Sequence, residues 1–271
     1  MAKSKAGTPT GKKAFQTLLD SQPTAATRRG LPAIDSVDAV KSFSAPTAAG
    51  HTFQIIRTNE MDAYDKAAVK PLDVPVPSFA ATKAVGSDNF AGTARKAAKL
   101  SLPDADTESF EDVAALIKSL PKDAKMINHK PKIKDTATSG RTSEEQRNIR
   151  VKAFIYAASR ESDNDFHLII GRDPDTDPEV YMNMELSGLP PKSSDTFDTL
   201  KAARDAYKDF FKNNLPGGTY DFYHPPVPVT IEGAIFFDIT HATGAHPGPA
   251  SLKSRIPTIW EVHPISSIHF D

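Results

Sequence analysis

The sequence predicts an α+β protein: a C-terminal antiparallel barrel of five strands with one helix between strands 3 and 4, preceded by a loosely structured, partly helical N-terminal region. Three observations carry this expectation. Short stretches with apolar residues at every second position recur after residue 148. One helical stripe (Phe197, Leu200, Ala203, Tyr207, Phe210, Phe211) interrupts them. The charge balance also changes near residue 145: residues 1–145 carry 21 Lys+Arg against 17 Asp+Glu, and residues 146–271 carry 12 against 17. The chain is therefore read as an extension or small helical lobe over 1–145, expected to be partly disordered, and a barrel over 146–271.

The C-terminal elements follow in order. Ile149–Ala157 alternates Val151, Ala153, Ile155 and Ala157 against Arg150, Lys152 and Tyr156, the pattern of a half-buried strand. The polar turn SRESDND leads to a second strand, Phe166–Gly171, and RDPDTDPE leads to a third, Val180–Leu186, with Val180, Met182 and Met184 on one face. The helix is expected to start at a Ser193 or Ser194 cap and to close at Asn213-Asn214 with Gly217-Gly218. After a proline-rich link, YHPPVPV, come a fourth strand, Val229–Ile239, a long loop, His241–Pro257, and a last strand from Thr258 to Pro264 or a little beyond. The order β-β-β-α-β-β is that of the OB fold.

The N-terminal part gives weaker signals. Lys12–Leu19 is one amphipathic turn and a half, Asp35–Phe43 reads as a short helix capped by Asp35 or Ser36, and Thr52–Arg57 reads as a strand. Ser78–Lys99 is rich in small residues, which suits a segment wrapped loosely over something else. Ser109–Leu120 reads as a helix with Ser109 as cap, Asp112 as its reciprocal partner and Pro121 as its stop. The lysine-rich stretch 118–134 holds six lysines and one aspartate, and reads as a solvated linker more readily than as a patch for phosphate.

Composition bounds the function. Charged residues make up 25% and the apolar types 39%, enough for a core, while 22 prolines in 271 residues imply many loops. No apolar run is long enough to span a membrane. The basic N-terminus lacks a following apolar stretch and is not read as a secretory signal, so a cytoplasmic protein is expected. With no cysteine, disulfides, thiolate metal sites and cysteine nucleophiles are excluded. No G-x-S-x-G, G-x-G-x-x-G or G-x-x-x-x-G-K-[ST] occurs, which removes support for a serine hydrolase elbow or a nucleotide-phosphate loop.

The residues that suit chemistry fall in three places: Glu161, Asp163, Asp165 and His167 around the first turn, Asp238, His241 and His246 after the fourth strand, and Glu261 and His263 on the fifth. Carboxylates and imidazoles without sulfur suit Zn²⁺, Mn²⁺ or Ca²⁺. Asp163, Asp165, Asp238 and His241 are the expected ligands of such a divalent metal, with Glu161 or His263 as catalytic base of a phosphoester hydrolase of nuclease type. The reading placed first is a non-catalytic binding module whose ligand is single-stranded nucleic acid or another anion, using His167, His246, Lys253, Arg255 and Glu261. A third reading is a structural component of a larger assembly that meets a protein partner through the N-terminal region.

Three blocks resemble a family of small, mostly uncharacterised bacterial domains. They are Asp163-Asn-Asp-Phe-His-Leu-Ile-Ile170, Gly233-Ala-Ile-Phe-Phe-Asp238 with His241, and Trp260-Glu-Val-His-Pro264. That resemblance covers about residues 147–271 and implies an OB-like barrel without a settled activity. A fainter similarity to the staphylococcal-nuclease group of OB folds rests on Asp163-Asn164-Asp165, which matches that group's calcium-holding acidic turn. The sequence departs from the group after strand three, where Leu186-Ser-Gly-Leu-Pro-Pro191 stands.

Overall fold

The computed structural model describes residues 11–46, 50–62, 88–242 and 246–271. It is a mixed α+β fold built on one eight-stranded sheet. The expected count of five strands is corrected, because the N-terminal part contributes three more. In chain order the described elements are α1 (Gly11–Asp20), β1 (Val37–Ser44), β2 (Thr52–Thr58), α2 (Lys96–Lys99), β3 (Thr107–Phe110), α3 (Val113–Ser119) and α4 (Asp123–Ile127). They continue with β4 (Asn148–Arg160), β5 (Phe166–Gly171), β6 (Tyr181–Leu186), α5 (Phe197–Phe211), β7 (Asp221–Phe237) and β8 (Trp260–Phe270). No helix among the described residues is long and apolar enough to cross a membrane.

Strand order is β1-β2-β7-β8-β6-β5-β4-β3, and β7 pairs with β4 as well. The long β7 serves three neighbours. Its start, Asp221–His224, pairs with β2, its end pairs with β8, and its other edge runs along β4. The antiparallel meander β4-β5-β6 is joined to β8 by a parallel pairing. Tyr156 lies at a register shift in β4 toward both β5 and β7, and an extra residue of this kind bends and twists a strand. Gly233 marks a similar irregularity in β7, where a Cβ would lie 2.5 Å from the Pro264 carbonyl oxygen.

One face of β4–β8 makes the main core, with Ile155, Leu168, Ile170, Met182, Met184, Ile231, Ile235 and Val262 buried together. Helix α5 lays its apolar stripe on strand ends: Phe210 stacks on Phe270 at 3.7 Å, and Tyr207 lies 5.0 Å from Phe166. The expected fourth strand is too short, since the proline-rich YHPPVPV is part of β7 itself. Pro225 and Pro226 fall where the register between β4 and β7 shifts, while Pro228 stands opposite Phe154. The helix starts at Phe197, after Thr196, rather than at the serines.

The expectation of a loose N-terminal region is also corrected. Phe43, Phe53, Ile55, Val113, Leu116 and Met126 belong to the same core as the strands beyond residue 145. Residues 1–10, 47–49 and 63–87 lie outside the described residues, so the partial disorder expected within 1–145 and the first part (78–87) of the small-residue stretch fall there. Asp35–Phe43 is not a helix: a single 3-10 turn, Ile34–Ser36, leads into β1, whose Val40 and Phe43 pair with β2. Ser109 sits in β3 and Asp112 is the true cap of α3, accepting from the Ala115 amide at 2.7 Å. The lysine-rich stretch is no simple linker. Met126 is fully buried, the Asp123 carboxylate accepts from Thr258 and Ile259, and the Pro121 carbonyl accepts the Trp260 indole N–H at 2.8 Å.

A buried ion pair fixes the N-terminal segment to the sheet. Arg95, in the left-handed region at φ 47, donates to both oxygens of Glu145 at 2.6 and 2.8 Å and to the Phe237 carbonyl at 2.9 Å. Breaking one side of such a pair strands a buried charge. Arg95→Met is expected to cost about 3–5 kcal/mol in urea denaturation, with a loss below about 1 kcal/mol counting against this role. Burial pushes the Asp221 carboxyl up to about 7, against partial relief from Arg57. Between the ordinary carboxylate range and that value, the folded chain holds a proton the unfolded chain has released, so stability falls as pH rises through this window. Asp221→Asn is expected to flatten the fall in melting temperature between pH about 4 and about 7. An unchanged slope would assign it to another group.

Candidate functional site

Strands β5, β6 and β8 present polar residues at every second position on the face opposite the main core. Asp165 and His167 come from β5 and its preceding turn, Asn183, Glu185 and Ser187 from β6 and its end, and Glu261 and His263 from β8. Register brings them together, since His167 is the cross-strand partner of Glu185 and Asn183 that of Glu261. All seven are buried. The segment carrying α2 covers them: the Phe90 amide donates to the Leu189 carbonyl, the Ala91 amide to the Asp163 carbonyl, and Ser187 Oγ to the Lys99 carbonyl at 3.3 Å.

Three acid–imidazole groups result, each with ligand atoms within 4.8 Å of one another: Asp62, Glu161 and His167; Asp165, Glu185 and His263; Asp238, His241 and Glu261. Glu185 links the first two, with His167 Nε2 2.7 Å from its Oε1 and His263 Nδ1 2.7 Å from its Oε2. Glu261 Oε2 lies 3.8 Å from the same His263 Nδ1 and so links the third. Buried donors hold the remaining oxygens. The Asn183 amide donates to Glu261 Oε1 at 3.1 Å and to Glu185 Oε1 at 3.3 Å, and the Gly188 amide to Asp165 Oδ1 at 2.6 Å.

His263 is held at both ring nitrogens. Its Nε2 lies 2.7 Å from Ser187 Oγ, and its Nδ1 lies 2.7 Å from Glu185 Oε2. Burial lowers the His263 pKa, against the pull of the Glu185 charge. Nδ1, Glu185 Oε2 and Glu261 Oε2 are buried and lie off the line of any hydrogen bond.

The electrostatics around them are uneven. Burial opposes ionisation of Glu185, yet His167, Lys99 and His263 hold its pKa well below the ordinary value. Burial, with the charges of Asp163 and Glu185, lifts Asp165 well above it, and burial with Glu185 and Asp238 does the same for Glu261. Burial would strip His167 of its proton, but Glu185 and Glu161 raise its pKa well above the imidazole range. Glu185 is therefore the anion around which the cluster balances.

Of the residues expected from sequence, Asp165, His167, Asp238, His241, Glu261 and His263 fall in this connected array, and Glu161 lies in its outer group. The four expected ligands do not share one point: Asp163 instead accepts from the Asp165 amide, and Asp238 and His241 stand beside Glu261. His263 stands between Glu185 and Glu261, with Ser187 at its other ring nitrogen. His246 bonds the Ile256 carbonyl through Nδ1, and Arg255 pairs with Glu179, so both are engaged within the fold. Sequence reasoning missed Asn183, Glu185, Ser187, Lys99 and Asp62. An N-x-E-x-S alternation opposite Met182 and Met184 was the available signal. Ser187, His263 and Glu185 have the order of a Ser–His–carboxylate relay. Ser187 is only 2% exposed, however, and Glu185 lies off the donor line of Nδ1, so the arrangement does not present a nucleophile.

No family model, curated protein or solved structure matches the chain. In the absence of an added ion, Glu185→Gln leaves Lys99 and His167 without their shared anion. It is expected to destabilise the fold by about 3–5 kcal/mol in urea denaturation. A neutral result would show that Glu185 is not the anion described.

Proposed function

We propose that this chain is a non-catalytic metal-binding module: an OB-like barrel that holds one divalent ion, Zn²⁺ or Mn²⁺, between β6 and β8. The barrel reading is supported by the run of pairings β4-β5-β6-β8-β7-β4, the parallel seam between its third and fifth members, and the placement of α5 between its third and fourth.

One observation carries the metal reading. His263 Nδ1 lies 2.7 Å from Glu185 Oε2 and 3.8 Å from Glu261 Oε2, three buried atoms of ligand type without an aligned hydrogen bond. With Nδ1 deprotonated they are three lone pairs that a cation between them would satisfy. Ser187, His167 and Asn183 fix the far atoms of the three ligands, as outer partners of metal ligands do. An imidazole ligand favours Zn²⁺ or Mn²⁺ over Ca²⁺, which prefers oxygen alone. Coverage by the α2 segment suits a closed, structural site and leaves a polymer no approach to the ion. The charge of this face also disfavours the anionic ligand expected from sequence.

Elemental analysis of protein purified without chelator is expected to give about one Zn²⁺ or Mn²⁺ per chain. Chelator is expected to lower the melting temperature by about 5 °C or more. His263→Ala and Glu261→Gln are expected to lose the ion while keeping the fold by circular dichroism. The proposal fails if no ion copurifies or rebinds and chelator leaves the melt unmoved.

A further inference from the structure

The outer acid–imidazole group has a geometry of its own. His167 is a buried residue of β5 whose Nε2 lies 2.7 Å from Glu185 Oε1. An ionised carboxylate can only accept, so Nε2 carries a hydrogen there. Nδ1, on the other side of the ring, is buried without a hydrogen-bond partner, and the nearest oxygen of Asp62, Oδ2, stands 3.6 Å from it. Glu161 brings a third ligand atom, and all three lie within 4.8 Å of one another.

Each of these side chains is also fixed from behind. Asp62 Oδ1 accepts from the Tyr220 hydroxyl at 2.6 Å and from the Gly248 amide at 3.0 Å, which leaves Oδ2 for the His167 side. Glu161 Oε1 accepts from the Ser159 hydroxyl at 2.7 Å, and Glu185 holds the far nitrogen of His167. A carboxylate behind a ligating imidazole and donors behind ligating carboxylates are the usual outer partners of a metal site. Ligand bonds of about 2.0–2.2 Å bring atoms at these separations around one ion with small side-chain rotations. Without an ion, the carboxylates around His167 keep a proton on Nδ1; the same charges attract a dication in its place, and binding releases that proton.

The geometry points to a second divalent-cation site formed by Asp62, Glu161 and His167, one that exchanges Mn²⁺ or Zn²⁺ with solution. Asp62 and Glu161 are partly exposed, whereas Glu185, Glu261 and His263 are buried, so an ion can enter here and water can complete its shell. Glu185 bonds His167 through one oxygen and offers the other to the first site. Two ions would then stand on either side of one carboxylate, and their repulsion makes the outer one the weaker. Purified protein thus keeps one ion and accepts another when metal is supplied. The outer site uses ligand atoms that the first does not, and it does not require the first to be filled.

Equilibrium dialysis against excess Mn²⁺ tests it. Wild type is expected to bind two ions. Asp62→Asn with Glu161→Gln, which keeps the oxygens that accept from Tyr220 and Ser159, is expected to bind one, and so is His263→Ala with Glu261→Gln. A second measurement needs no variant: in the ¹⁵N spectrum of the wild-type histidine rings, saturation with Zn²⁺ is expected to shift the His167 Nδ1 resonance. An unchanged ion count in the Asp62/Glu161 variant overturns the inference, as does a His167 resonance that stays in place. A wild type that binds one ion, lost from the Asp62/Glu161 variant and kept by the His263/Glu261 variant, upholds this site and is instead the failure of the first.

Discussion

Glu185 is the constraint around which the rest of the molecule is arranged. A carboxylate on a strand of a meander is ordinarily turned to water. Here it is buried, and a buried ionised carboxylate costs several kcal/mol unless matched. Two imidazoles and an ammonium provide the match. They come from β5, β8 and the α2 segment, so burying one charge obliges three distant pieces of chain to meet. The N-terminal part is therefore a wall of the cluster rather than an appendage. The Arg95–Glu145 pair performs a similar task nearby, tying that wall to the end of β7.

The two faces of the sheet divide the work. On the inner face Leu168, Met184 and Val262 supply an ordinary apolar core. On the outer face, at alternate positions of the same strands, His167, Glu185 and His263 make a polar interior. Period two places both sets without conflict, so a single strand can be read as core or as site depending on which residues are followed. The polar set has low tolerance for loss of any member, because each side chain fixes the protonation or orientation of the next.

Much of the C-terminal architecture was legible in the sequence. β5 was bounded to the residue, β4 and β6 to within a few, and α5 was evident from its aromatic stripe. Half of the site was legible as well, since D-x-D-x-H and E-x-H stand out as residue types. Glu185 and Asn183 did not, because they lie in a strand whose apolar face, Met182 and Met184, satisfied the pattern and left the other face to be assigned to solvent. That assignment depends on what covers the strand, and coverage is a long-range property. Lys12–Leu19 and Thr52–Arg57 were read correctly as α1 and β2, but two other N-terminal elements were misread for a related reason. Asp35–Phe43 carries no strong periodicity, and its strand character comes from pairing with β2 rather than from local preference. The Ser109 cap lost to Asp112 once 107–110 had paired beside β4.

The parallel junction between β6 and β8 is held by only two residue pairs, Asn183 with Glu261 and Met184 with Val262. Backbone bonding over so short a length gives two neighbouring strands little cohesion. Side chains make up the difference: the Asn183 amide reaches across to Glu261 while also holding Glu185, and His263 closes on Glu185 from the other strand. The polar face thus serves as the stitching of the sheet's weakest joint, and the same atoms that make it chemically interesting also keep the fabric from opening there.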